Sequence, residues 1–200
     1  MFKALEVDIR KRLGEFELKA SFNAEGMIHI FGVNGSGKTT LLRCIAGIIP
    51  VDSGTIVHNG IDLTIIPIER KKVVYLDRLS FFPNLNVEEH LSFLRVTKME
   101  EINEIKRIMD IDYKGKLRNL STGQKLKVSL ATSVLSHPRL ILLDEISANI
   151  SNAESILNDL VPILHRQNTE VINVAQENSQ ALEKNFTFNI VNGKITRVED

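Results

Sequence analysis

The sequence predicts an α/β fold with three parts: a core built around a phosphate-binding loop, an N-terminal antiparallel β subdomain and an inserted helical subdomain. Three observations carry that prediction. Gly32–Thr40 reads GVNGSGKTT and fits the pattern G-x-x-x-x-G-K-[ST], between a short apolar run (Met27–Phe31) and a breaker-free helical stretch ending at Gly47. Leu140–Leu143 is continuously apolar, as a strand buried on both faces requires, and runs into Asp144 and Glu145. Between Leu79 and Leu120 the texture turns helical, with Ile102, Ile105, Ile108 and Met109 on one face. The expected organisation is a single domain over residues 1–200, with 1–78 and 121–200 as core and β subdomain and 79–120 as the helical insertion.

Taken in chain order, Phe2–Ile9 and Glu15–Phe22 roughly alternate apolar and polar residues, which predicts two half-buried strands with a bend at Gly14. The run before the phosphate loop predicts a buried strand, and Thr39–Ala46 the helix after it. Gly54–Leu63 reads as a hairpin with an Asn59-Gly60 turn. Val73–Leu76 predicts a short strand, and Val87–Val96 and Glu100–Met109 two helices. Ser121 with Gln124 three residues later is a capping-box pattern, opening a helix that stops before Pro138. Ser151 and Glu154 repeat the pattern ahead of a helix toward Arg166, in which Pro162 predicts a kink or an early end. Glu170–Ala175 is a further strand, and Phe186–Val191, Asn192-Gly193 and Lys194–Val198 a second hairpin.

The bulk composition narrows the class. At 200 residues, 43% hydrophobic and 25% charged, this is an ordinary globular profile with length enough for one proper core. Lys plus Arg equals Asp plus Glu at 25 each, so no nucleic-acid partner is expected. Cys44 is the single cysteine, which excludes a disulfide framework and predicts a small buried hydrophobe. Met1–Arg12 is charged from its third residue and has no leader-like apolar core, and no run approaches a membrane span. The expectation is an intracellular chain without direct membrane insertion.

The chemistry of the loop follows from its residue types. Gly32, Gly35 and Gly37 let the backbone turn tightly enough for its N–H groups to converge on phosphate oxygens, at the positive end of the new helix. Asn34, Ser36 and Thr40 complete the cradle. Lys38 is placed to reach the terminal phosphates and the Thr39 hydroxyl to ligate Mg²⁺. Asp144 is the second candidate Mg²⁺ ligand, and Glu145 the candidate base for an attacking water. The histidines, His29, His58, His90, His137 and His165, read as core or surface residues.

GVNGSGKTT, then LSTGQKLKVSLA from Leu120, then LILLDE from Leu140 resembles the nucleotide-binding domain of ATP-binding-cassette (ABC) proteins, whose signature is L-S-G-G-Q. The resemblance covers essentially the whole chain, including the Gly54–Gly60 hairpin, Phe82–Val87 and the Asn192-Gly193 turn. Around Leu13–Leu18 it is most similar to molybdate- or sulfate-type importer ATPases. No N-K-x-D guanine motif is present. The resemblance implies an ABC-type ATPase fold with ATP and Mg²⁺ as cofactors. It also implies a second ABC ATPase domain packed head to tail, so that Ser121, Gly123 and Gln124 of one domain meet ATP held by the loop of the other. A membrane-spanning permease is then the further partner, and the site is the inner face of the cell membrane. Phe16 is the candidate for stacking on adenine, with Phe2 and Phe22 as alternatives.

Four positions depart from the family. A glutamine is expected after Val73–Leu76, but Asp77 and Arg78 stand there; Gln176 takes the place of a switch histidine. Ser151 replaces an aspartate that communicates across the dimer, and Thr122 replaces the signature's first glycine. Losing a polar group that contacts the transition state costs ~10²–10³ in rate. The expected function is therefore an ATP-binding transporter subunit with slow or partner-dependent hydrolysis. The alternative is a nucleotide-gated clamp or regulator of the same fold outside transport, and a phosphate-loop kinase is a third reading that the signature disfavours.

Overall fold

The computed structural model describes residues 5–77, 80–93, 98–176 and 186–198. Its centre is one ten-stranded sheet in the order β5-β4-β1-β2-β10-β9-β3-β8-β7-β6. The strands are β1 (Leu5–Leu13), β2 (Phe16–Ala24), β3 (Met27–Phe31), β4 (Ser53–His58), β5 (Ile61–Asp62), β6 (Val73–Leu76), β7 (Leu140–Asp144), β8 (Glu170–Ala175), β9 (Phe186–Val191) and β10 (Lys194–Arg197). From β9 to β6 all neighbours are parallel, whereas β1, β2, β4 and β5 pair antiparallel. The late hairpin β9–β10 joins the halves, with β9 parallel to β3 and β10 touching β2 at Lys194–Lys19.

Two apolar cores lie on opposite faces of the sheet. Along β7, Leu140 and Leu142 enter one and Ile141 and Leu143 the other, the period-two alternation of a strand covered on both sides. Helix α1 (Lys38–Ala46) fills the first core with β1, β2 and β3. Helices α2 (Val87–Leu91), α3 (Met99–Ile108), α4 (Thr122–Leu135) and α5 (Ala153–Gln167) build the second. Cys44 is buried in the first core, and that burial pushes its thiol up to about 11, which makes it an inert hydrophobe at neutral pH.

Most predicted elements are present, with local differences that have physical causes. The Gly14 bend has φ 61° and the Asn59-Gly60 turn has φ 56° and 75°, the left-handed pair a tight hairpin demands. Helix α2 ends at Leu91, short of Val96, whose segment 94–97 is outside the described residues. The Ser121–Gln124 capping box forms in full, with Ser121 Oγ accepting from the Gln124 N–H at 3.3 Å and Gln124 Oε1 from the Ser121 N–H at 2.9 Å.

The Ser151–Glu154 box does not form. A short 3-10 turn at Ser147–Asn149 leads the chain into left-handed Asn152 (φ 58°), which caps α5 without any side-chain bond. Pro162 neither stops nor shortens α5, which continues to Gln167. Pro162 lies on the exposed face, as does Asn158, whose carbonyl loses its helical donor; water can satisfy that carbonyl there.

Candidate functional site

The site lies where β3 and β7 end. Gly32 extends β3 by donating its N–H to Ala175 O at 3.3 Å, and the chain then turns through Gly35 (φ 79°) and Gly37 (φ 110°) into α1. Gly37 is required by its left-handed backbone, and a Cβ there would also displace the tip of Phe16, falling 2.7 Å from its Cζ. The Asn192-Gly193 turn braces the loop from outside. Gly193 donates its N–H to Ser36 O at 2.8 Å and its carbonyl accepts from the Lys19 N–H at 2.7 Å. A Cβ on Gly193 would stand 2.1 Å from Glu17 O, so only glycine lets the hairpin wedge between β2 and the loop.

A cavity of about 900 Å³ opens over this loop. Phe16, Asn34, Gly35, Gly37, Lys38, Thr39, Thr40, Asp144 and Glu145, all singled out in the sequence, line it, together with Leu13 and Asp77. Gly32 and Ser36 are buried beneath the lining, and Ser36 Oγ has no partner. Lys38 is buried, with its ammonium donating to Gly32 O at 2.7 Å and Val33 O at 3.2 Å and facing Glu145 Oε1 at 3.4 Å. Thr39 Oγ1 donates to Asp144 Oδ1 at 3.0 Å. Two hard oxygen donors side by side, at the mouth of a phosphate-sized loop, suit Mg²⁺, which takes few protein ligands and completes its octahedron with phosphate and water.

Glu145 leaves β7 in a left-handed conformation (φ 56°), and it lines the same cavity as Asp144. Gln176 Nε2 reaches Glu145 Oε2 at 3.4 Å, which puts an amide where the family resemblance expects an imidazole. Ser121, Gly123 and Gln124 stand apart: none lines the cavity, and they sit at the start of α4 beside the 3-10 turn, where a Cβ on Gly123 would be 2.7 Å from Asn149 O. Arg78 and Phe2 are outside the described residues, and Phe22 is buried against Phe188, with ring centroids 5.0 Å apart.

Two contributors escaped the sequence reading. Tyr75 on β6 donates its hydroxyl to Asp144 Oδ2 at 2.5 Å, and the two together raise the pKa of Arg43 on α1. Burial, and then the bond to Asp144, push the Tyr75 hydroxyl up to about 12. The available signal was register: Tyr75 pairs with Leu142, and Asp144 follows Leu142 on the same face.

The ABC transporter family model matches residues 16–148, which carry the loop, the signature and the β7 carboxylates. The chain belongs to the ABC transporter family. It is 35% identical over 153 residues to the molybdate/tungstate import ATP-binding protein WtpC of Methanocaldococcus jannaschii, an alignment covering 68% of this chain and 52% of the relative. To the molybdenum import ATP-binding protein ModC of Rhizobium etli it is 34% identical over 181 residues, covering 83% of this chain and 50% of the relative. The chain thus spans about half the length of the first curated relatives it matches. A probable sulfate/thiosulfate import ATP-binding protein CysA of Chlorella vulgaris is 29% identical, covering 96% of this chain and 88% of its own. The fold is that of solved ABC ATPases. A putative ABC transporter ATP-binding protein from Pyrococcus furiosus superposes with TM-score 0.77 at 23% identity, covering 94% of this chain and 97% of that one.

Proposed function

We propose that this chain is the ATP-binding subunit of an ABC importer for an oxyanion of the molybdate, tungstate or sulfate class. It binds Mg-ATP and hydrolyses it to drive a separate membrane permease. The observation that carries the reading is the single cavity in which Lys38, Thr39, Asp144 and Glu145 converge on the phosphate loop. Relatives across three oxyanion import systems support the transport assignment over a soluble clamp.

Within that reading Lys38 and the loop N–H groups hold the phosphates, Thr39 and Asp144 hold Mg²⁺, and Phe16 lies under the base. Mg²⁺ supplies charge neutralisation on the phosphates. Glu145 accepts the proton of the attacking water, oriented by Gln176 in place of a histidine. The second domain supplies Ser121, Gly123 and Gln124, whose position outside the cavity is what a composite, head-to-tail site needs. Residues 79–120 form the insertion that carries the motion to the permease. Among the described residues no helix is long and apolar enough to cross a membrane, so attachment to the inner face runs through that partner.

The test is ATP turnover by the purified chain beside Glu145→Gln, with the oligomeric state followed by gel filtration in ATP and Mg²⁺. Slow wild-type turnover, abolished in the variant, with an ATP-dependent dimer retained in both is expected. Turnover of several per second lost in Glu145→Gln would contradict slow hydrolysis, and absence of nucleotide binding would contradict the function altogether.

A further inference from the structure

We propose that Tyr75 is a positioning residue for the Asp144 carboxylate, and that Arg43 acts on the metal site through it; the inference rests on the Mg-nucleotide reading above. Asp144 has both oxygens engaged. Oδ1 accepts from Thr39 at 3.0 Å and faces the nucleotide cavity, while Oδ2 accepts from Tyr75 at 2.5 Å. A short bond from a neutral hydroxyl to a carboxylate is among the stronger hydrogen bonds a protein makes. An ordinary tyrosine hydroxyl is protonated at neutral pH, so it stands to the carboxylate as a donor.

Arg43 extends the line. In the proposed relay its guanidinium, which can only donate, donates to the Tyr75 oxygen and leaves the hydroxyl proton for Asp144. Tyr75 and then Asp144 both raise the Arg43 pKa, which places the cation beside the pair. The chain runs one way, from cation through hydroxyl to anion, and each bond polarises the next. It also spans three elements, α1, β6 and β7, and so fixes the carboxylate relative to the helix that presents Thr39. Hydrogen bonds behind a metal ligand fix its orientation, and losing one typically costs ~10–100-fold in metal affinity.

Core packing alone does not explain the hydroxyl. The Tyr75 ring packs against the first apolar core, which phenylalanine would do equally well. Only the oxygen reaches Asp144. The neighbouring Glu145 carboxylate, by contrast, meets Lys38 and Gln176 only at 3.4 Å each among the described residues. One carboxylate is clamped and the other is left loose, as a fixed metal ligand beside a group that must exchange a proton requires.

The experiment titrates binding of a fluorescent ATP analogue, first in EDTA and then with rising Mg²⁺, in wild type, Tyr75→Phe, Arg43→Met and the double variant. In EDTA all four are expected to bind within about twofold. In Tyr75→Phe the Mg²⁺ midpoint is expected to rise ~10–100-fold, the usual consequence of losing a group behind a metal ligand. Arg43→Met should raise it less, and the double variant no more than Tyr75→Phe alone. An unchanged midpoint in Tyr75→Phe overturns the proposal, as does equal weakening in EDTA, which would mark a merely structural residue. Additive effects overturn the part given to Arg43. Should Tyr75→Phe not fold, exposed Arg43 still decides: an unchanged midpoint in Arg43→Met refutes the relay. Wild type that binds without any response to Mg²⁺ overturns the Mg-nucleotide reading and the relay with it.

Discussion

At the scale of single residues, the site divides between groups that hold and groups that read. In the proposed reading the loop backbone and Lys38 grip phosphate whatever is attached to it, while Leu13 and the ring of Phe16, which line the same cavity, are offered to the base. Stacking on an aromatic ring is worth ~1–3 kcal/mol per base. Phe16→Ala is therefore expected to weaken ATP binding about tenfold or more, and GTP similarly, since a ring face does not distinguish purine edges. Equilibrium binding of both nucleotides checks it, and unchanged affinity would assign base contact elsewhere. Lys38, Thr39, Asp144 and Glu145 were legible because their spacing and order are local patterns. Tyr75 was not: its partner lies far along the chain, and only the β6–β7 register brings hydroxyl and carboxylate together.

At the scale of elements, one sequence pattern succeeded and its twin failed. Ser121 and Gln124 cap α4 because Ser121 has the extended backbone (φ −65°, ψ 162°) that aims its hydroxyl at the first turn. Ser151 and Glu154 have the same spacing, but left-handed Asn152 intervenes and moves the helix start to Ala153. A capping pattern records what a chain can do; the preceding turn decides whether it does. The early end allowed for at Pro162 does not occur for a related reason, since the cost of proline depends on which face it occupies. On an exposed face proline still costs a helix interior up to ~3 kcal/mol against alanine, less a few tenths to 1 kcal/mol returned through the stiffer unfolded chain. Pro162→Ala is expected to stabilise the fold by about 1–3 kcal/mol. Urea unfolding measures it, and no gain would mean that α5 has already adapted around the ring.

At the scale of the whole molecule, stability should fall in mild acid through His29. It sits on β3 opposite Asn173 and Thr187 of the flanking strands, and neither His29 Nε2 nor Asn173 Oδ1 has a partner. Burial lowers the imidazole from an ordinary value near 6.5 to about 4. Between those values the unfolded chain takes up a proton that the folded one refuses. The contribution of neutral His29 is thus complete above pH 6.5 and is lost as pH falls toward 4, up to roughly 3 kcal/mol. Urea midpoints at pH 7.5, 5.5 and 4.5 should drop more steeply for wild type than for His29→Gln; parallel slopes would acquit the histidine. The antiparallel half of the sheet, the parallel half and α1 were each visible in the sequence as periodic stretches. How the halves join was not, because that junction sets β9 beside β3 and β10 beside β2, strands far apart in the sequence.

The junction has a consequence for how the protein is made. A ribosome delivers the loop, α1 and both Asp144 and Glu145 well before Phe186–Arg197, the two strands that fill the middle of the sheet and brace the loop at Ser36. Until they emerge, β2 and β3 present bare edges to one another, and open edges invite foreign strands. The nascent chain is a keyless arch that needs shelter until Phe186–Arg197 emerge, and the brace on the phosphate loop arrives only with them.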